Sequence, residues 1–155
     1  MKNSRKLAFS GLTVALYIII MYCTQSFSFG QYQVRLATGL YSLSYNFPFL
    51  CLPLGLANMI SNIIFGGDII NGFLGFVAGT LSCICIRLLK KITTKRLIIV
   101  LPIAVIPSLI IPIWLSLTLQ VPYYLLVLSL FIGQTISAYT MGIFILLFSE
   151  KINKK

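Results

Sequence analysis

The sequence predicts an all-α integral membrane protein, with six transmembrane helices in a single domain over residues 1–155 and both termini in the cytoplasm. Three observations carry that prediction. Of the 155 residues, 59% are hydrophobic and only 9% are charged, where a soluble domain carries roughly 25% charged residues. The mean hydropathy is +1.01. Apolar runs of about 20 residues, the length a helix needs to cross a bilayer, recur along the chain.

The first run, 7–23, follows Lys2, Arg5 and Lys6 and so has the charge pattern of a signal peptide. It is longer than a signal core, lacks an A-x-A cleavage site and precedes further apolar runs, so a retained first span is expected. The second, 36–47, is short and carries Thr38, Ser42, Ser44, Tyr45 and Asn46. Such residues belong where a helix lines a cavity or packs on its neighbours, not where it faces lipid. Asn46-Phe47-Pro48 breaks the chain, because proline disfavours a helical residue before it and suits the first turn of the next helix. The remaining segments are 49–66, 69–88, 97–119 and 122–148. Gly72, Gly75 and Gly79 in the fourth are spaced for close helix packing.

Charge tests the count. Cations cluster at Lys2/Arg5/Lys6, at Arg87/Lys90/Lys91/Lys95/Arg96 and at Lys151/Lys154/Lys155. With six spans an even number of crossings separates each cluster from the next, so all share the cytoplasmic face. A five- or seven-span count scatters them. Arg35 then follows one crossing and Asp68 three, which places both on the extracytoplasmic face. Gln31, Gln33, Asn58, Asn62, Gly66, Gly67 and Asn71 surround them in the sequence. With Tyr32, Tyr41, Tyr45 and Phe65 they suggest an outward-opening pocket that combines aromatic walls with a few polar groups. Plainer roles stay open. Arg35 can anchor at the interface or pair with Asp68, Asp68 can cap the fourth helix, and the tyrosines can form an aromatic belt.

Other functions find little support. The cations form no basic stripe, so no nucleic-acid partner is expected. The four cysteines lie in apolar sequence without a C-x-x-C pair, and the chain has no histidine, so no metal site is expected. Two acids and no histidine leave little with which to build an enzyme. No phosphate-binding loop for ATP is present. What remains is a membrane-embedded binding protein that takes energy for any active transport from a partner.

The runs "QVRLATGLYSL", "PLGLANMISN" and "GGDIINGFLGFVAGTLSCICIRLLKK" resemble the QueT family, the queuosine-precursor S components of energy-coupling factor (ECF) transporters. Arg35, Gly55, Asn58, Asp68 and Gly79 match that pattern, and "FIGQTISAYTMGIFI" resembles the family's closing segment. The resemblance implies an S-component bundle that needs no cofactor and captures a 7-deazapurine outside the bacterial cytoplasmic membrane. It implies uptake driven by the transmembrane coupling protein EcfT and two ATPase subunits. It also implies substrate contacts at Arg35, Thr38, Tyr41, Asn58, Asn62, Asp68 and Gln134, and docking of the coupling protein at Gly11 and Ala15, four apart on the first helix. Internal packing is the other use of that spacing. Thr38 and Gln134 stand where many members carry glutamate, which leaves Asp68 as the acid near the pocket. The candidate ligands are 7-cyano- and 7-aminomethyl-7-deazaguanine and queuine. The alternatives are another vitamin-like heterocycle, or a membrane scaffold that transports nothing.

Overall fold

The computed structural model describes residues 3–29 and 33–153. Gln31 and Tyr32, and the terminal cations Lys2, Lys154 and Lys155, lie outside the described residues. The elements are α1 (Asn3–Cys23), α2 (Gln25–Ser28), a 3-10 helix (Leu36–Tyr45), a short 3-10 turn (Pro48–Leu50), α3 (Cys51–Gly66), α4 (Ile69–Ile92), α5 (Arg96–Ile99), α6 (Leu101–Leu119), α7 (Tyr123–Ser137), a π-helical turn (Ala138–Gly142) and α8 (Ile143–Asn153). Among the described residues, five stretches are long and apolar enough to cross a membrane: Asn3–Cys23, Pro48–Gly66, Ile69–Ile92, Arg96–Leu119 and Tyr123–Lys151.

The segment at 36–47 differs from the helix its hydropathy predicts. It forms a 3-10 helix with Ala37 through Ser44 all buried. Ten residues at about 2 Å each reach roughly 20 Å, where an α-helix of the same length reaches about 15 Å. The tighter winding therefore stretches a short, polar sequence further through the bundle. Its contacts descend in order: Arg35 meets Asn62 on α3, Ser44 donates to the Cys83 carbonyl on α4, and Lys90 donates to the Tyr45 carbonyl. Thr38, Ser42 and Ser44 are thereby enclosed, as their polarity requires.

The other elements sort by the same two ends. Phe9 of α1 packs on Phe47 and Phe49 at the Lys90 end, while Tyr22 packs on Phe65 at the Asp68 end. Arg96 pairs with Glu150 at 2.9 Å, the one ion pair among the described residues, and joins α5 to α8 at the Lys90 end. The start of α1 and the end of α8 thus share one end of the bundle.

Glycines set the closest approaches. A Cβ on Gly72 would meet Ile63 Cγ1 at 2.6 Å, and one on Gly79 would meet the Tyr41 hydroxyl at 2.8 Å, so the glycine spacing read in the fourth segment serves packing on α3 and on the 3-10 helix. Gly39 presses against the π turn, where an added Cβ would lie 2.6 Å from Met141 Cβ and 2.9 Å from the Gly142 nitrogen. Backbone cannot yield as a side-chain tip can. Gly39→Ala is therefore expected to destabilise the purified protein by about 1–3 kcal/mol. Gly11→Ala, with nothing within 4 Å of its added Cβ, should stay within about 0.5 kcal/mol. Thermal melts of the two variants side by side check the difference.

Candidate functional site

Among the described residues Arg35 is the largest fully buried side chain, at 1% exposure. It precedes the 3-10 helix, so its backbone is placed where the chain turns down into the bundle. Its guanidinium reaches three acceptors at once. Nε donates to the Ser28 carbonyl at 3.2 Å, Nη1 to Asn62 Oδ1 at 2.9 Å and Nη2 to Gln33 Oε1 at 3.0 Å. The plane also lies over the Phe29 ring, 5.0 Å from its centre. No carboxylate joins the set.

A guanidinium only donates, so each amide oxygen facing it is fixed as oxygen. Asn62 is thereby oriented to donate through Nδ2 to Asn58 Oδ1 at 3.0 Å, and Asn58 donates to the Gly75 carbonyl at 2.8 Å. A donor-only group at one end and an acceptor-only carbonyl at the other give this chain a single polarity. Gly75 permits it, because a Cβ there would collide with Asn62 Nδ2.

Asp68 is occupied elsewhere. Its Oδ1 accepts from the backbone N–H groups of Ile70 (2.9 Å) and Asn71 (3.3 Å), capping α4, and its Oδ2 accepts from Trp114 Nε1 at 2.6 Å. The expected alternative of an Arg35–Asp68 ion pair is absent. The exposed N–H groups of a helix start are nearer and attract a carboxylate. Asp68 thus straps α4 to α6.

A cavity of about 800 Å³ opens at this end. Phe29, Gln33, Phe65, Gly66 and Asn71 form one wall, and α6, α7 and the turn between them supply the other, apolar one with residues such as Leu119, Val121 and Leu126. The lining carries three polar side chains, Gln33, Asn71 and Ser129. Gln33 gives its oxygen to Arg35, which leaves its amide nitrogen as a donor, and its backbone sits at φ 43, a left-handed value rare outside glycine. Asn71, only 6% exposed, has a side-chain oxygen with no partner.

The seven proposed substrate residues form layers around this cavity and are not its lining. Arg35, Asn62 and Asn58 lie behind Gln33 and Phe29. Thr38 and Gln134, both buried, bond to each other, Oγ1 to Oε1 at 3.0 Å. Tyr41 stacks on Tyr17, ring centres 6.0 Å apart, with their hydroxyls 3.3 Å apart. It lies six residues down the 3-10 helix, about 12 Å below Arg35. Tyr45 is at the far end under Lys90, 4.3 Å from its ring centre, so neither tyrosine forms a pocket wall; Phe65 does. Gly11 and Ala15 are exposed on α1, whose most apolar window is 17% buried against 44–50% for the other four long stretches. Sequence reading named Gln33 and Asn71 only as neighbours and missed Phe29, Trp114 and the leucine wall, which carry no polar signature.

A family model described as QueT transporter matches residues 7–151. The chain belongs to the QueT transporter family. With five long apolar helices, a QueT transporter of this build is a multi-pass membrane protein. No curated protein and no solved structure matches the chain.

Arg35 and Asp68 share no bonding partner, so their substitutions should not rescue each other. Arg35→Gln and Asp68→Asn are each expected to lower the melting temperature, and the double variant to sum the two within about 0.5 kcal/mol. Recovery of stability in the double variant would show a hidden ion pair.

Proposed function

We propose that this chain is the substrate-binding subunit of an ECF importer and captures a queuosine precursor, a 7-deazapurine, at its Asp68 end. The observation that carries the reading is the cavity itself, with polar side chains from Gln33, Asn71 and Ser129 and aromatic walls from Phe29 and Phe65. A fused heterocycle with a lactam and ring N–H groups offers the complementary acceptor and donors, and flat apolar faces for the rest of the wall. In this reading the 3-10 helix is a sixth, short crossing. Both termini and the Lys90 cluster then lie in the cytoplasm of a bacterium, and the cavity opens outside.

Capture alone moves nothing across the membrane, so the reading includes the coupling protein and its two ATPases. Exposed, sparsely packed α1 presents Gly11 and Ala15 one turn apart, where a partner helix can approach closely. Thermal melting of the purified protein against a panel of deazapurines tests capture, since a ligand that binds only the folded state raises its apparent stability. At 100 times Kd the gain is about 2.7 kcal/mol. Gly11→Leu should keep that shift and reduce uptake in cells at least tenfold. A scaffold protein would show no shift with any heterocycle, and equal loss of binding and uptake in Gly11→Leu would place that residue in internal packing.

A further inference from the structure

The charge around the cavity bears on which member of the ligand class it accepts. The whole chain has two acids. Glu150 pairs with Arg96 at the opposite end, and both oxygens of Asp68 are engaged by α4 and Trp114. Immediately behind the wall sits the buried, carboxylate-free Arg35, bonded to the wall residue Gln33. Thr38 and Gln134, buried behind the lining, are neutral, with Thr38 Oγ1 2.6 Å from the Arg35 carbonyl and 3.0 Å from Gln134 Oε1. An aromatic cage for a cation is also compromised, because Phe29 already turns a face to the Arg35 guanidinium.

Resting on the deazapurine reading above, we infer that the cavity selects by charge: it takes a heterocycle whose 7-substituent is neutral or anionic and rejects one bearing an ammonium. The geometry supplies the reason. A ligand ammonium would enter a largely apolar cavity that has Arg35 behind Gln33 and no carboxylate in its lining, and the Asp68 carboxylate at the same end already has both oxygens committed to α4 and Trp114. A nitrile or a carboxylate instead leaves the Arg35 charge uncontested or partly balanced. The selectivity belongs to the site as a whole, and Arg35 acts in it as a positioning and field-setting group.

The experiment compares 7-cyano-, 7-carboxy- and 7-aminomethyl-7-deazaguanine at pH 7 by isothermal titration on the wild-type protein. The fluorescence of Trp114, the single tryptophan, which neighbours the wall residue Leu115, serves as a second readout. The expected result is that the aminomethyl compound binds at least tenfold more weakly than the cyano compound, about 1.4 kcal/mol. Asn71→Asp, which places a carboxylate on the wall, should shift that ratio at least tenfold toward the aminomethyl compound. An aminomethyl affinity within tenfold of the cyano affinity overturns the charge rule and leaves the deazapurine reading standing. No binding of any of the three overturns both. The wild-type comparison decides the matter even if the variant fails to fold.

Discussion

A single buried positive charge, Arg35, with hydrogen bonds but no counter-ion, organises this end of the bundle. Burying an ion costs several kcal/mol even after relaxation. Against that stand three charge-assisted bonds of about 1.5–3 kcal/mol each and a desolvated aromatic face contributing about 2 kcal/mol. Those partners come from three places in the chain: Ser28 and Phe29 from the α2 region, Gln33 from the loop and Asn62 from α3. Losing the guanidinium would release all of them together. Because it can only donate, it also fixes the orientation of three amides in turn and decides which end of Gln33 faces the cavity. Local order, site chemistry and site charge therefore follow from one residue.

The surrounding architecture keeps that residue buried without demanding a carboxylate. The 3-10 helix draws the chain away from Arg35 through the bundle core in few residues, and the close contact of Gly39 with the π turn seats it. The Asp68 carboxylate, the natural electrostatic partner, ties α4 to Trp114 on α6. That strap holds the apolar wall of the cavity opposite the polar one. Charge is thus partitioned: the acid ties α4 to α6, and the base sits behind the polar wall of the cavity.

Much of this was legible from the sequence. Hydropathy located the five long helices, and charge parity placed Arg35 and Asp68 at the same end of the bundle, where the structure has them. The polarity of 36–47 correctly required enclosure, because no residue pattern like Thr38, Ser42 and Ser44 is stable against lipid. The 3-10 winding was not legible, since its period depends on what packs around it, and that concealed the depth of Tyr41 and Tyr45. The Thr38–Gln134 bond spans 96 positions, and nothing local announces it. The leucine wall of α6 and α7 was equally silent, because lipid-facing and cavity-facing leucines look alike when a helix is apolar on every side.

The most direct test of this account is Arg35→Lys, which keeps the charge and removes the planar fork. Ligand-free melting and the Kd for 7-cyano-7-deazaguanine would be measured on the same preparations. If the fork is what holds Ser28, Gln33 and Asn62 in register, the variant melts several degrees lower, an effect of about 1–3 kcal/mol, and binds at least tenfold more weakly. A variant that melts and binds like wild type would mean that the charge alone suffices, and the central claim would fall.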